Sequence, residues 1–207
     1  MKLNLGCGAK PLPGYINIDA PLTGGTDPAI RADIYSRIED LKYGDTSIEE
    51  IKMEAVFEHF PRHKALFLLR RFYKWLKKDG RISIIVPDLI KTIKRIERLP
   101  IEKQLFYFRH IFGPQDVIKY GVHYDGFTVE KLIYIFKAIG FNEFKIKQGG
   151  RWPSIYFTAI KREPFMKDLE AKNNILKILK AYAIGEKSKF LIDTWIDQCK
   201  QEGLLFY

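Results

Sequence analysis

The sequence predicts an α/β fold: a mostly parallel sheet of seven strands that ends in an antiparallel pair, with helices on both faces. Two observations support this prediction. Strand and helix signals alternate through residues 1–162, which is typical of a parallel sheet with crossover helices. Within that region, "RISIIVPD" is a near-continuous apolar run, as expected of a strand that is buried on both faces of such a sheet.

The predicted strands are short. The first five are "KLNLGC", "YINIDA", a short segment ahead of Asp33, "EEIKME" and "RISIIVPD". The last two, "FNEFKIKQGG" and "SIYFTAIKR", are joined by a turn that contains Gly149 and Gly150, which predicts the antiparallel pair.

Two helices have recognisable ends. Pro61 opens a helix whose apolar residues recur at helical spacing, and lysines followed by Gly80 close it. Thr128 is the predicted N-cap of a second helix, which ends at Gly140.

Two segments stand outside the alternation. Residues 89–125 lie between a strand and the helix that should follow it, and their own helical segments are broken at Pro100 and Gly113. Insertions at that place often form lids, so we expect one here. Residues 163–207 are amphipathic and predict a helical C-terminal extension, packed on the core or on a second copy of the chain as an oligomer contact.

Composition narrows the class of protein. A chain of 207 residues with 46% hydrophobic residues is globular, and no apolar run reaches the roughly 18 to 20 residues of a membrane span. The start "MKLNLGCG" has no signal-peptide pattern, so we expect a cytoplasmic protein. Cys7 and Cys199 lack metal-ligand spacing, and the sequence predicts no metal site. A net charge of +10 favours anionic partners, including RNA.

The segment "LNLGCGAKPLPGYINIDA" permits two arrangements. As a hairpin, its two strands would be antiparallel and Asp19 would lie far from Gly6 and Gly8. As a parallel pair, all three residues would lie at one edge of the sheet. Seven extended residues reach roughly 23 Å, which is enough to return along a short strand, and Pro11 and Pro13 favour an extended path. The segment alone does not decide between them.

The rest of the chain favours the parallel arrangement. Acidic residues follow the later strands in order, with Asp33, Glu54 and Asp88 at the predicted strand ends, where a ligand site of a parallel sheet would lie. With "LNLGCG", "PGYINID", "EHF", "LKKDGR" and "VPD", residues 1–160 resemble the class I S-adenosylmethionine-dependent methyltransferases. The resemblance implies a Rossmann-like domain over residues 1–162. The third glycine of the common motif and the helix after it are missing.

The resemblance also implies roles for particular residues. The loop of Gly6, Cys7 and Gly8 would let the backbone approach the methionine and ribose of S-adenosylmethionine, and Asp19 would accept hydrogen bonds from the ribose hydroxyls. Asp33 would face the adenine amine. The cleft near the sulfonium would be lined by Glu54, Ala55 and Phe57.

Candidate catalytic residues lie in "FEHF" and "GVHYDGFT". They are Glu58, His59 and His123, because a neutral imidazole is the usual general base near pH 7. The motifs that often accompany methylation of nucleic-acid bases are missing. We therefore expect an oxygen or nitrogen acceptor on a small molecule, sugar or lipid precursor. An RNA methyltransferase, or a non-catalytic Rossmann-like module that binds RNA or protein, stays open as the alternative.

Overall fold

The computed structural model describes residues 1–21, 29–115, 121–150, 152–185 and 187–205. Its strands are β1 (Lys2–Leu5), β2 (Ile16–Asp19), β3 (Ile34–Tyr35), β4 (Ile48–Glu54), β5 (Leu76–Pro87), β6 (Glu143–Gly149) and β7 (Ser154–Ile160). They form one seven-stranded sheet in the order β3, β2, β1, β4, β5, β7, β6. Neighbours among the first five strands are parallel, and β7 runs antiparallel to β5 and β6. The predicted α/β fold, a mostly parallel sheet of seven strands that ends in an antiparallel pair, is confirmed.

The described residues form six α-helices: α1 (Arg62–Trp75), α2 (Leu89–Ile96), α3 (Ile101–Phe112), α4 (Val129–Ile139), α5 (Asp168–Tyr182) and α6 (Ser188–Gln201). Helices α1 and α4 pack on each other and on the sheet, α5 contacts both, and α6 contacts α1 and α5. The predicted cap at Thr128 is confirmed, because its Oγ1 accepts a hydrogen bond from the backbone N–H of Lys131 at 3.1 Å. In the described ranges, no helix is long and apolar enough to cross a membrane.

The sheet is buried on one face and partly open on the other. Apolar residues that alternate along the strands form the core with α1 and α4. On the opposite face, Asn4, Lys52, Ser83 and Thr158 follow one another in register across β1, β4, β5 and β7. The prediction that "RISIIVPD" is buried on both faces is therefore wrong for this face, where Ser83 is only half-buried. The cause is the short chain between β1 and β3, whose described residues form no helix to cover it.

The connection from β1 to β2 is held by the buried amide of Asn17. Its Oδ1 accepts hydrogen bonds from the Leu12 backbone at 2.7 Å and from the Asn4 side chain at 2.9 Å. Its Nδ2 donates to the Leu12 carbonyl at 3.3 Å and to Asp33 Oδ2 at 3.0 Å. Strands β1 and β2 are parallel, with Leu5 beside Ile18. The hairpin arrangement is excluded.

Helix α1 ends earlier than the sequence predicts. It stops at Trp75, and the lysines before Gly80 already belong to β5. The buried Lys161 side chain donates hydrogen bonds to the carbonyls of Tyr73 at 2.9 Å and Leu76 at 2.6 Å. Because carbonyls at a helix C-terminus lack partners within the helix, this distant lysine takes the place of a local cap.

The C-terminal extension is joined to the core by a buried arginine on α1. Arg70 donates hydrogen bonds to the carbonyls of Ile139 and Met166, both at 2.9 Å, and to Asp168 Oδ1 at 2.8 Å. Asp168 begins α5, so one guanidinium connects α1, the end of α4 and the start of the extension. Bonds of this charge-assisted kind are among the stronger ones in proteins.

Replacing Asp168 with Asn should lower stability in a pH-dependent way. Partial burial alone would raise the pKa of Asp168, but hydrogen bonds and charge from Arg70 and Lys74 bring it below 3.8. A carboxylate with a depressed pKa stabilises the fold above its ordinary pKa, and that contribution is lost as pH falls through the folded-state pKa. Urea unfolding should show the variant clearly less stable at about pH 7, with a smaller loss of stability at about pH 3.

Asp193→Asn, which changes an exposed acid on α6, is the matched control and should have little effect at either pH. An equal loss of stability for Asp168→Asn at both pH values would contradict an ionic role for Asp168.

Candidate functional site

A cleft of about 240 Å³ lies at the edge of the sheet where β1, β2, β3 and β4 end. Parallel strands bring their carboxyl ends to one edge, so residues from four separate segments meet there. The cleft is lined by Gly6, Gly8, Asp19, Ala20, Ser36, Arg37, Ile38, Glu39, Ala55, Val56, His59, Phe60 and Pro61.

Asp19 is bonded directly to the glycine loop. Its Oδ2 accepts a hydrogen bond from the Gly8 backbone and its Oδ1 accepts one from Ala20, both at 2.7 Å. The backbone N–H groups of Gly6 and Cys7 donate to the Ile18 carbonyl at 2.8 and 3.2 Å. The loop after β1 is thereby held against the end of β2, as the parallel arrangement predicts.

The two glycines serve different purposes. Gly6 has a φ of +68°, and a Cβ at that position would overlap the Val56 side chain. Gly8 has a φ of +54°, and the space where its Cβ would lie is open. Gly6 therefore permits close packing under the loop, whereas Gly8 leaves room beside the cleft.

Cys7 lies between the glycines with its side chain buried. Its Sγ lies 3.6 Å from the carbonyl oxygens of Gly8 and Arg31. Burial, together with the charge of Asp19, raises the pKa of the Cys7 thiol to about 11. The thiol is therefore neutral near pH 7, and Cys7 does not belong to the residues that line the cleft.

Asp33 precedes β3, whereas the sequence placed it after a strand. Its Oδ2 accepts hydrogen bonds from the backbone and the side chain of Asn17, at 2.8 and 3.0 Å. These two bonds lower the pKa of Asp33. The cleft residues that follow β3 are instead Ser36, Arg37, Ile38 and Glu39. No motif in the sequence distinguished them, because a two-residue strand leaves almost no pattern.

The three residues predicted at the end of β4 have different environments. Ala55 lines the cleft and has a φ of +53°. Glu54 is exposed and is not one of the cleft residues. Phe57 is buried in the core, with its ring centroid 5.5 Å from that of Phe127 and 6.1 Å from that of Phe136. Phe57 thus supports the turn after β4 from below.

A second cavity, of about 410 Å³, adjoins the first and shares Ala55 and His59 with it. Helix α3 covers one side, where Phe106 stacks on Trp152 with ring centroids 4.1 Å apart. The cavity is lined by Ala55, Glu58, His59, Ile85, Val86, Pro87, Phe106, Arg109, His110, Pro114, Gly121, His123 and Ser154.

The three predicted catalytic residues meet in this second cavity. The rings of His59 and His123 have centroids 4.7 Å apart, and Glu58 is adjacent and only 1% exposed. Burial raises the pKa of Glu58 to about 8. Burial and the neighbouring His59 lower the pKa of His123 to about 4, and burial lowers that of His59. Both imidazoles are therefore neutral near pH 7.

Hydrogen bonds fix the orientation of both histidine rings. His59 Nδ1 lies 3.0 Å from the Val122 carbonyl oxygen, and His123 Nδ1 lies 3.1 Å from that of Ile111. A carbonyl oxygen can only accept, so each Nδ1 carries the hydrogen and each Nε2 keeps its lone pair. The sequence identified both histidines, but nothing in it placed them side by side.

Neither protein-family models nor curated proteins match the sequence. Solved structures do. An S-adenosylmethionine-dependent methyltransferase from Methanosarcina mazei aligns over 78% of this chain and 92% of its own, with 14% identity and a TM-score of 0.50. One from Archaeoglobus fulgidus aligns over 77% and 85%, with 14% identity and a TM-score of 0.52.

A third similar structure contains bound ligands. It is the 1,6-didemethyltoxoflavin-N1-methyltransferase of Burkholderia thailandensis with 1,6-didemethyltoxoflavin and S-adenosylhomocysteine. It aligns over 78% of this chain and 71% of its own, with 15% identity and a TM-score of 0.51. The chain has the fold of the S-adenosylmethionine-dependent methyltransferases.

Alanine substitutions at two glycines should separate the close packing at Gly6 from backbone strain alone. Gly14 has a φ of +76° and open space at the Cβ position, so Gly14→Ala should cost only the left-handed strain, about 1–2 kcal/mol. Gly6→Ala adds the overlap with Val56 and should cost about 1–3 kcal/mol more in the free energy of unfolding. Urea denaturation measures both, and equal losses would show that Val56 does not pack under the loop.

Proposed function

We propose that this protein is an S-adenosylmethionine-dependent methyltransferase that acts on an oxygen or nitrogen atom of a small acceptor. The observation that carries the proposal is the bonding of Asp19 to the glycine loop, in a cleft that opens beside a second, histidine-lined cavity. A methyltransferase needs two adjoining sites, because methyl donor and acceptor must meet in line.

The first cleft has suitable groups for the cofactor. Asp19 has lone pairs beyond those used by Gly8 and Ala20, and these would accept from the ribose hydroxyls. The backbone at Gly8 would face the methionine portion, since no side chain obstructs it. The apolar Ile38, after β3, suits the adenine face better than Asp33, which is occupied by Asn17.

The second cavity has suitable groups for the acceptor. Transfer breaks the bond between the methyl carbon and the sulfonium, whose sulfur keeps the electron pair, while the acceptor forms the new bond and loses a proton. His59 lies with Ala55 at the wall shared with the cofactor cleft, and Glu58 and His123 line the second cavity close to His59. We assign the activation of the acceptor to these three residues.

The acceptor should be anionic. Arg109 of α3 lines the second cavity. A further cavity of about 490 Å³ is lined by Pro153, the residue before Ser154 of the second cavity, and by four cationic residues, Lys91, Lys94, Arg95 and Arg98. A phosphate or carboxylate on the acceptor would be attracted to this cluster. We further propose that α2 and α3 form the lid that closes over the acceptor.

Replacing Asp19 with Ala should abolish or strongly weaken cofactor binding. Loss of a charged hydrogen-bond acceptor costs about 1.5–3 kcal/mol, which corresponds to roughly 10- to 100-fold in the dissociation constant. Calorimetric titration with S-adenosylmethionine and S-adenosylhomocysteine measures this. Asp19→Asn, which keeps the size and one acceptor oxygen, should have an intermediate effect, and Asp193→Ala on α6 should have none.

If the unmodified protein gives no heat with either compound, the methyltransferase proposal fails. Salt-dependent retention of RNA by that same protein would then support the non-catalytic binding module. Circular dichroism of each variant would establish that a loss of binding is not a loss of fold.

A further inference from the structure

Glu58, His59 and His123 have the composition and spacing of a metal site. One ligand atom from each residue, a carboxylate oxygen or an imidazole nitrogen, lies within 4.8 Å of the others. Two imidazoles and one carboxylate form a common set of ligands for divalent transition metals, and three protein ligands leave coordination positions open for water or substrate.

The Glu58 carboxylate is the strongest indication of a bound cation. It is 1% exposed, and among the described residues neither of its oxygens has a hydrogen-bond partner. Buried polar groups in native proteins are nearly always paired, and an unpaired buried carboxylate is costly. Glu58 lines the second cavity, so a cation bound there by one of its oxygens would supply the missing partner.

Hydrogen bonds at Nδ1 hold both histidine rings in place. Each uses Nδ1–H to bond a backbone carbonyl, that of Val122 for His59 and that of Ile111 for His123. Metal-binding histidines generally donate a hydrogen bond from one ring nitrogen in this way, which fixes the ring, while the other nitrogen binds the ion. Neutral rings are also required, because a protonated imidazole has no lone pair to offer.

The backbone holds the two contributing segments together. Glu58 and His59 belong to the 3-10 turn Phe57–His59 after β4, and His123 belongs to the loop before α4. The Tyr124 N–H donates to the Glu58 carbonyl at 2.9 Å, and the His123 N–H donates to the Phe112 carbonyl at 3.1 Å. A site held in this way needs little rearrangement to bind an ion.

We propose that Glu58, His59 and His123 bind one divalent transition-metal ion, of the Zn²⁺ or Mn²⁺ type, whose open positions face the second cavity. The role of the ion rests on the proposed methyltransferase function: it holds a hydroxyl of the acceptor. The bound hydroxyl loses its proton to water, and its oxygen forms the bond to the methyl carbon. The carbon–sulfur bond breaks and leaves neutral S-adenosylhomocysteine. The acceptor would accordingly be an oxygen nucleophile.

The test uses the full chain, without an affinity tag and freed of metal by a chelator. Titration with Zn²⁺ should show one high-affinity site per chain, Mn²⁺ should occupy the same site with lower affinity, and Mg²⁺, which prefers oxygen ligands, should bind more weakly still. With Co²⁺ as the probe, the visible absorption spectrum should show nitrogen and oxygen coordination.

Glu58→Gln is the decisive variant, because it keeps the shape of the side chain and removes its charge. It should raise the dissociation constant for Zn²⁺ by more than roughly 10- to 100-fold, which is the cost of losing a residue that only hydrogen-bonds to a metal ligand. Without metal it should be about as stable as the unmodified protein, because the buried Glu58 side chain makes no hydrogen bond that the substitution would remove. His63→Gln, at a buried histidine outside the cluster, should leave Zn²⁺ binding unchanged.

The inference is overturned if the unmodified protein binds less than a tenth of an equivalent of every transition metal tried, or if Glu58→Gln binds Zn²⁺ as well as the unmodified protein does. Binding of S-adenosylhomocysteine, measured on the same preparations, separates this failure from failure of the proposed function. Loss of cofactor binding alone refutes the methyltransferase, and loss of metal binding alone refutes the metal site.

Discussion

The buried amide of Asn17 is the interaction on which the site depends. It joins the loop at Leu12 to Asn4 of β1 and to Asp33 ahead of β3, so that three strands are placed by one side chain. Parallel strands ordinarily need a crossover of a dozen or more residues, usually a helix. Here a short proline-containing return replaces the helix, and the Asn17 amide satisfies backbone groups that a helix would have paired internally.

The missing helix has consequences on both sides of the sheet. Without it, one face of the central strands keeps a row of polar and charged side chains, from Asn4 to Thr158. The other face carries the apolar core with α1 and α4, and the C-terminal helices add a further layer there through Arg70. The carboxyl edge is unaffected, because the positions of Gly8 and Asp19 depend only on strand direction and register.

The sequence predicted the positions of site residues well where strand order and direction determine them. It predicted them poorly where the path of a loop determines them. It predicted the parallel return and the meeting of Gly8 with Asp19, since both follow once the strands share a direction. The sequence predicted that Asp33 follows the third strand, whereas it precedes β3, because a strand of two residues leaves almost no pattern. Its hydrogen bonds to Asn17 have no sequence pattern either. Its proposed contact with adenine has no support in that position.

The grouping of Glu58, His59 and His123 illustrates the same limit. Each was a plausible catalytic residue by type, but His123 reaches the others only because the insertion of α2 and α3 returns the chain to the end of β4. The sequence therefore predicted three separate candidates and no metal site. The absence of a metal site was predicted from the spacing of the cysteines alone. Spacing cannot reveal ligands that are far apart in the sequence and are brought together by a loop.

The most direct test of the account is a crystal structure of the protein soaked or grown with S-adenosylhomocysteine. We expect the ribose hydroxyls at the Asp19 carboxylate and the homocysteine portion over Gly6 and Gly8, with its sulfur toward the wall that Ala55 and His59 form between the two cavities. Density for the ligand at any other place, or an antiparallel β1 and β2 with Gly6 and Asp19 at opposite ends, would contradict it.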